Sequence, residues 1–196
     1  MLKQNVHKDK KMTLLEILGQ VTDNRRAQGR RYDLSNFLLV SMLAMLCGSK
    51  TYKDIAIFMK ANLAKLKETL NLKWKSSPKR TMVNDTFKKI DIKSLEGSFR
   101  LYSNNLLTTI GAEPIMPSMD GKTLRGSYDH KNGEKALHIL MAFCGNNKLI
   151  LGHVNVNEDK TNEIPCAQKL ISELGLVEGS VYTLDALHCQ KKLLLK

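Results

Sequence analysis

No apolar run in this sequence approaches the roughly 20 residues needed to span a bilayer. The longest, "NFLLVSMLAMLC", is about half that length and reads as a buried helix. The N-terminus is polar and lysine-rich and lacks the apolar stretch of a signal peptide. A cytoplasmic protein without a membrane partner is therefore expected. Cysteine is sparse too. Cys47, Cys144, Cys166 and Cys189 lie far apart, and no C-x-x-C pair offers a zinc site. His138, Cys144 and His153 could meet on neighbouring strands, but satisfied core residues are the better reading. Reduced thiols suit the same compartment. Acid is scarce in one half only. Residues 1–111 hold 21 Lys and Arg against 9 Asp and Glu, whereas residues 112–196 hold 10 of each. The whole net charge of +12 thus belongs to the first half. A localised basic field points to a polyanion, most commonly nucleic acid.

What is present divides into two patterns. The first half is helical in period. Thr13 can cap a helix carrying Leu14, Leu15, Leu18 and Val21. The basic break "DNRRAQGRRYD" follows. Ser35 can cap a second helix, Asn36 to Cys47, stopped by Gly48 and apolar enough on every side to lie at a bundle's centre. Thr51 and Asp54 resemble a capping box for a single third helix through Ile55, Phe58, Leu63, Leu66 and Leu70. A basic connector, "KWKSSPKR", leads to two more helices in "TMVNDTFKKI" and "SLEGSFRLYSNNLLTTI", loosely in a helix-turn-helix order.

The second half changes period. "PIMPSMD", "ALHILMAFCG" and "LILGHVNVN" read as strands. "KTNEIPCAQKLISELGL" reads as a helix capped by Thr161 or Asn162, with Pro165 in its first turn. "GSVYTLDALHCQ" reads as a strand leading into a helix from Ala186. The fold class is therefore α+β: a helical bundle over 1–111, then a mixed β-sheet with packed helices over 112–196.

Two carboxylates fall at the ends of strand candidates. Asp120 with Gly121 is a common hairpin-turn pair. Asp185 can cap the following helix. Both at strand ends of one sheet is less ordinary. An acid after the apolar "VYTL" is costly to bury without a partner, and hard divalent cations prefer carboxylate oxygens. If the first and fourth strands are neighbours, the two acids meet. Such a pair repels unless a cation sits between, and this is the arrangement that two-metal phosphoryl chemistry uses. Lys122 and Arg125 then become candidate contacts to a DNA backbone, against the alternative of exposed turn charge.

The stretches "MDGKTLRGS", "ALHILMAFCGNNKLILGHVNVNEDKTNEIPCAQKLISELGL" and "VYTLDALHCQ" resemble the ISAs1 family of bacterial transposases, related to IS4 and including the H-repeat-associated proteins. "DNRRAQGRRYDLSNFLLVSMLAMLCG" resembles that family's N-terminal associated domain. The resemblance implies an RNase H-like core with a D-D-E triad, in which Asp120 and Asp185 are the first two acids. It implies Mg²⁺, or Mn²⁺, as cofactor, and metal-dependent cleavage and strand transfer at transposon ends. DNA would be the partner, with a homodimer as a further expectation. The basic half would grip DNA through Arg25, Arg26, Arg30, Arg31, Lys79 and Arg80. One departure stands out. The family's third acid lies beyond its second aspartate, yet residues 186–196 contain no Asp or Glu. The expectation is a truncated, inactive transposase. The alternative is a non-catalytic DNA-binding fragment that occupies transposon ends.

Overall fold

The computed structural model describes residues 12–110, 116–128, 136–145, 148–156, 163–174 and 179–185. The chain divides into two compact units, Met1–Tyr102 and Ser103–Lys196. The dividing point falls inside one long helix, short of the boundary at residue 111 that composition suggests.

In the first unit, Thr13 opens α1 (Leu14–Leu18). Its hydroxyl accepts the Glu16 N–H, and the Glu16 carboxylate accepts the Thr13 N–H at 2.7 Å. This reciprocal box satisfies donors that a helix start leaves unpaired. A 3-10 turn, Ala27–Gly29, interrupts the basic loop. α2 spans Leu34–Leu46 and is capped by Asp33, not by Ser35. The Asp33 Oδ2 atom accepts the Asn36 N–H at 3.0 Å, while Ser35 already lies in the first helical turn. The chain leaves α2 through Gly48, whose φ of 95° glycine adopts without a steric penalty. The Ser49 N–H then reaches back to the Ala44 carbonyl at 3.0 Å, as in a Schellman motif.

The Thr51–Asp54 box forms as expected. The single helix expected after it is two: α3 (Tyr52–Ala61) and α4 (Leu63–Leu70). Asn62 separates them, its side-chain amide donating to the Phe58 carbonyl at 2.9 Å. Such local bonds compete with helix continuation. α4 ends at Asn71, which adopts a left-handed conformation. α5 (Arg80–Lys89) and α6 (Ile92–Ile110) complete the helical series.

Trp74, on the connector between α4 and α5, is 2% exposed and belongs to the core with Phe37, Val40, Met59 and Val83. Tyr32 meets it edge-on at 5.1 Å between ring centroids. Its indole N–H donates to Asp33 Oδ1 at 3.1 Å, so one carboxylate both caps α2 and anchors the connector. Buried indoles need such an acceptor.

Among the described residues of the second unit, four strands form a mixed sheet in the order β3-β2-β1-β4. These are β1 (Pro117–Leu124), β2 (Leu137–Cys144), β3 (Leu149–Asn155) and β4 (Thr183–Leu184). β1–β2 and β2–β3 are antiparallel, and β1–β4 is parallel. α7 (Glu163–Leu174) lies between β3 and β4 in sequence, with Pro165 in its first turn. Its Cys166, Ala167 and Leu170 pack with Leu140, Ala142, Cys144, Leu151 and Val154 from the sheet. Full burial of each large aliphatic side chain is worth about 1.5–3 kcal/mol. On the strands outside that core, Leu124, Phe143 and Ile150 stay about 40% exposed among the described residues.

The Asp120-Gly121 hairpin reading is overturned. Both residues sit mid-strand in β1, paired with Met141 and Leu140 of β2. A local turn signal yields here to a ladder of eight register pairs. The expected caps Thr161 and Asn162, the helix from Ala186 and Cys189 lie outside the described residues.

Candidate functional site

β1 alternates as a half-covered strand should. Pro117 and Met119 are buried, while Ser118, Asp120 and Lys122 are exposed on the other face. The parallel partner aligns Ser118 with Thr183 and Met119 with Leu184. Asp120 and Asp185 are the next residues along these two strands, and both are exposed. Neighbouring strands lie about 4.8 Å apart, so this register sets the acids side by side. On its other side Asp120 aligns with Met141, and Met141 with His153. A row of Asp185, Asp120, Met141 and His153 thus crosses the sheet. The first and fourth strands are neighbours, the condition on which a meeting of the two acids depended, although Asp120 is mid-strand and Asp185 directly follows β4.

Lys122 follows Asp120 by two residues and shares its exposed face. Arg125 begins the 3-10 turn Arg125–Ser127 at the end of β1. The neighbouring hydroxyls hold the β1–β2 pair together. Ser127 Oγ donates to the Leu124 carbonyl at 2.6 Å and accepts the Leu137 N–H at 2.7 Å. Thr123 Oγ1 lies 2.9 Å from His138 Nδ1. The same stretch lines an open hollow of about 850 Å³ bounded by Gly121, Lys122, Thr123, Leu124, Gly126 and Ser127.

Among the described residues, no group of three or more His, Cys, Asp or Glu side chains is placed to hold a metal ion. Two exposed carboxylates nevertheless suit a hard cation. Mg²⁺ is commonly held by one or two carboxylates, with water and substrate phosphate completing its shell.

The basic candidates of the first unit separate into two kinds. Arg25 is 5% exposed, and its role as a DNA contact is corrected. Its Nε and Nη2 donate to the two Asp23 oxygens at 2.8 and 2.9 Å, and Nη2 also to the Tyr32 carbonyl. Arg25 is thereby committed to shaping the loop. It holds the Asp23 carboxyl below the usual carboxylate range, chiefly through the side-chain hydrogen bond. Arg30 folds over the same loop, donating to the Arg25 and Asp23 carbonyls while much of its side chain stays exposed. Arg26, Arg31, Lys79 and Arg80 are exposed. Sequence reading missed Lys88 and Lys89, both exposed on α5, of which the fold brings Lys89 close to the 25–31 loop. Lys89 and Gly29 line one cleft there. The adjacent pair in "TFKKI" was the available signal.

The family described as "DDE_Tnp_1-associated" matches residues 15–103. The chain is 31% identical over 181 residues to "Putative transposase YncI" of Escherichia coli K12, covering 90% of this chain and 69% of that protein. It is 28% identical over 180 residues to "H repeat-associated putative transposase YhhI" of the same strain, covering 91% of this chain and 46% of that one. "H repeat-associated putative transposase YbfD" is 26% identical over 180 residues, with 91% and 68% covered. The chain spans about half the length of several of the curated relatives it matches. No solved structure matches it significantly. These relationships place the chain among the DDE-type transposases. Within that class it belongs to the H-repeat-associated, ISAs1 group. No helix of the described residues is long and apolar enough to cross a membrane.

Proposed function

We propose that the second unit is an RNase H-like core built for metal-dependent DNA cleavage and strand transfer at transposon ends, with Asp120 and Asp185 as its first two acids. The observation that carries this reading is the β1–β4 register, which pairs Met119 with Leu184, the residues that immediately precede the two acids. The strand order, with a helix in the passage from the antiparallel strands to β4, supports it. Asp120 and Asp185 would hold Mg²⁺ or Mn²⁺, which when bound supplies activation of the attacking oxygen and stabilisation of the leaving one. Lys122 and Arg125 would steady the DNA backbone beside them. The exposed cations of the first unit, Arg26, Arg30, Arg31, Lys79 and Arg80, would supply the affinity for DNA. Two copies acting together at paired ends remain part of the proposal.

Strand cleavage by this class needs a third carboxylate, and residues 186–196 provide none. A polypeptide of just these 196 residues is therefore expected to bind DNA without cutting it. The test uses the 196-residue chain with duplexes taken from the DNA flanking its coding sequence. Binding should weaken steeply as salt rises, because phosphate contacts release counterions. Mn²⁺ titration should show an ion whose affinity falls at least about tenfold in Asp120→Asn, as loss of a charged ligand predicts. Mg²⁺-dependent cleavage abolished by Asp120→Asn would overturn the expectation of inactivity. Salt-insensitive association would count against the DNA-binding reading.

A further inference from the structure

α5 has two unlike faces. Val83 and Thr86 are buried, and Met82 and Phe87 pack against the helical core. The opposite face carries Thr81, Asp85 and Lys88 exposed, with Asn84 half-buried between them. Spacings of four and three residues stack these side chains into one stripe. Nothing apolar interrupts it.

The 25–31 loop lies beside this helix. A cleft of about 220 Å³ is lined by Arg25 and Gly29 from the loop and by Thr81, Met82, Asp85, Thr86 and Lys89 from α5. The bonds from Arg25 to Asp23 and Tyr32, and from Arg30 to the loop carbonyls, hold the loop in one shape. Two basic segments about fifty residues apart in sequence thus become neighbours. Exposed cations flank the stripe in sequence and fold: Lys79 and Arg80 at the start of α5, Lys89 at its end, and Arg26 and Arg31 on the loop whose Arg25 and Gly29 face the helix.

We infer that α5 is the helix that reads base edges in the major groove of duplex DNA, with the 25–31 loop gripping the adjacent backbone. This inference rests on the DNA-binding reading above and adds which element confers sequence preference. Charge complementarity identifies the partner. Asp23 is paired with Arg25, and Asp85 is the single acid of α5 beside Arg80, Lys88 and Lys89. An exposed acid in the middle of such a surface is unsuited to a phosphate clamp. It is suited to accepting the cytosine amino group, as Asn84 is to adenine and Lys88 to guanine. The ten residues of α5 rise about 15 Å, and the major groove, about 12 Å wide, admits an α-helix.

The test selects preferred duplexes from a randomised 24-base-pair library with the full chain, then compares each with its scrambled counterpart. Asp85→Ala and Lys88→Ala should each cut the preference about tenfold at one base position, while scrambled DNA binds nearly as before. Arg26→Ala and Arg31→Ala should weaken both duplexes equally and lower the salt slope by about one each. If Asp85→Ala and Lys88→Ala leave the preference intact while both duplexes still bind, α5 is not the reader and the DNA-binding reading survives. If the wild-type chain binds no duplex, both readings fall. Equal competition by single-stranded RNA would also overturn the assignment. Unchanged thermal melts of the four variants exclude misfolding as the cause.

Discussion

The two units bury their apolar residues in different ways. The helical unit surrounds Trp74 and Phe37 on all sides, and α2 can be apolar nearly all round because neighbours cover it. The sheet unit builds its core on small and aliphatic residues, chiefly Leu140, Ala142, Cys144, Ala167 and Leu170, and leaves Phe143 about 40% exposed. The difference teaches where chemistry can be placed. An enclosed bundle offers charge only on its rims, and there the exposed arginines and lysines are found. A sheet with helical packing on one side can present two carboxylates in register on the other.

Substitutions of aromatics in the two units should sharpen that contrast. Trp74→Ala removes the buried indole and strands Asp33 Oδ1 without its donor, so it should cost about 3–5 kcal/mol in urea unfolding of the full chain. A cost under about 1 kcal/mol would mean that the connector is not part of the core. A pH series gives a smaller effect. Asp23 titrates lower when folded than unfolded, so its contribution is complete above the unfolded value of about 3.9 and is lost as pH falls through the folded one. Asp23→Asn should flatten that part of the urea midpoint against pH. An unchanged profile would remove the Arg25–Asp23 pair from the account of the loop. Phe143→Ser should cost about 1–2 kcal/mol, less than Trp74→Ala, because the residue is already about 40% exposed. A loss near that of Trp74→Ala would show that the face is covered in solution.

Much of this architecture was legible because its causes are local. Thr13 as a cap and Thr51 with Asp54 as a capping box are short-range signatures, and both form, Thr13 within a box with Glu16. The strand–strand–strand–helix–strand order follows from periodicity, and the shared register of Asp120 and Asp185 follows once β1 and β4 are neighbours. The misreadings share one cause, a competing partner elsewhere in the chain. Asp33 was passed over as the cap of α2 in favour of Ser35, and its second oxygen serves an indole 41 residues away. Arg25 looked like any other arginine in a basic run until Asp23 claimed it. Asp120-Gly121 looked like a turn because the pairing that straightens it comes from β2.

The anchoring of the two acids is unequal, and this has a mechanical consequence. Asp120 is fixed inside a strand of eight residues, while Asp185 follows a strand of two, held by two register pairs on the sheet's edge. Local opening costs least where the hydrogen-bonded ladder is shortest. Any ligand that draws the carboxylates together therefore moves Asp185 and leaves Asp120 where it is. In the proposed site one arm of the pair is a fixed jaw and the other a sprung one, its stiffness set by the two register pairs that tie β4 to β1.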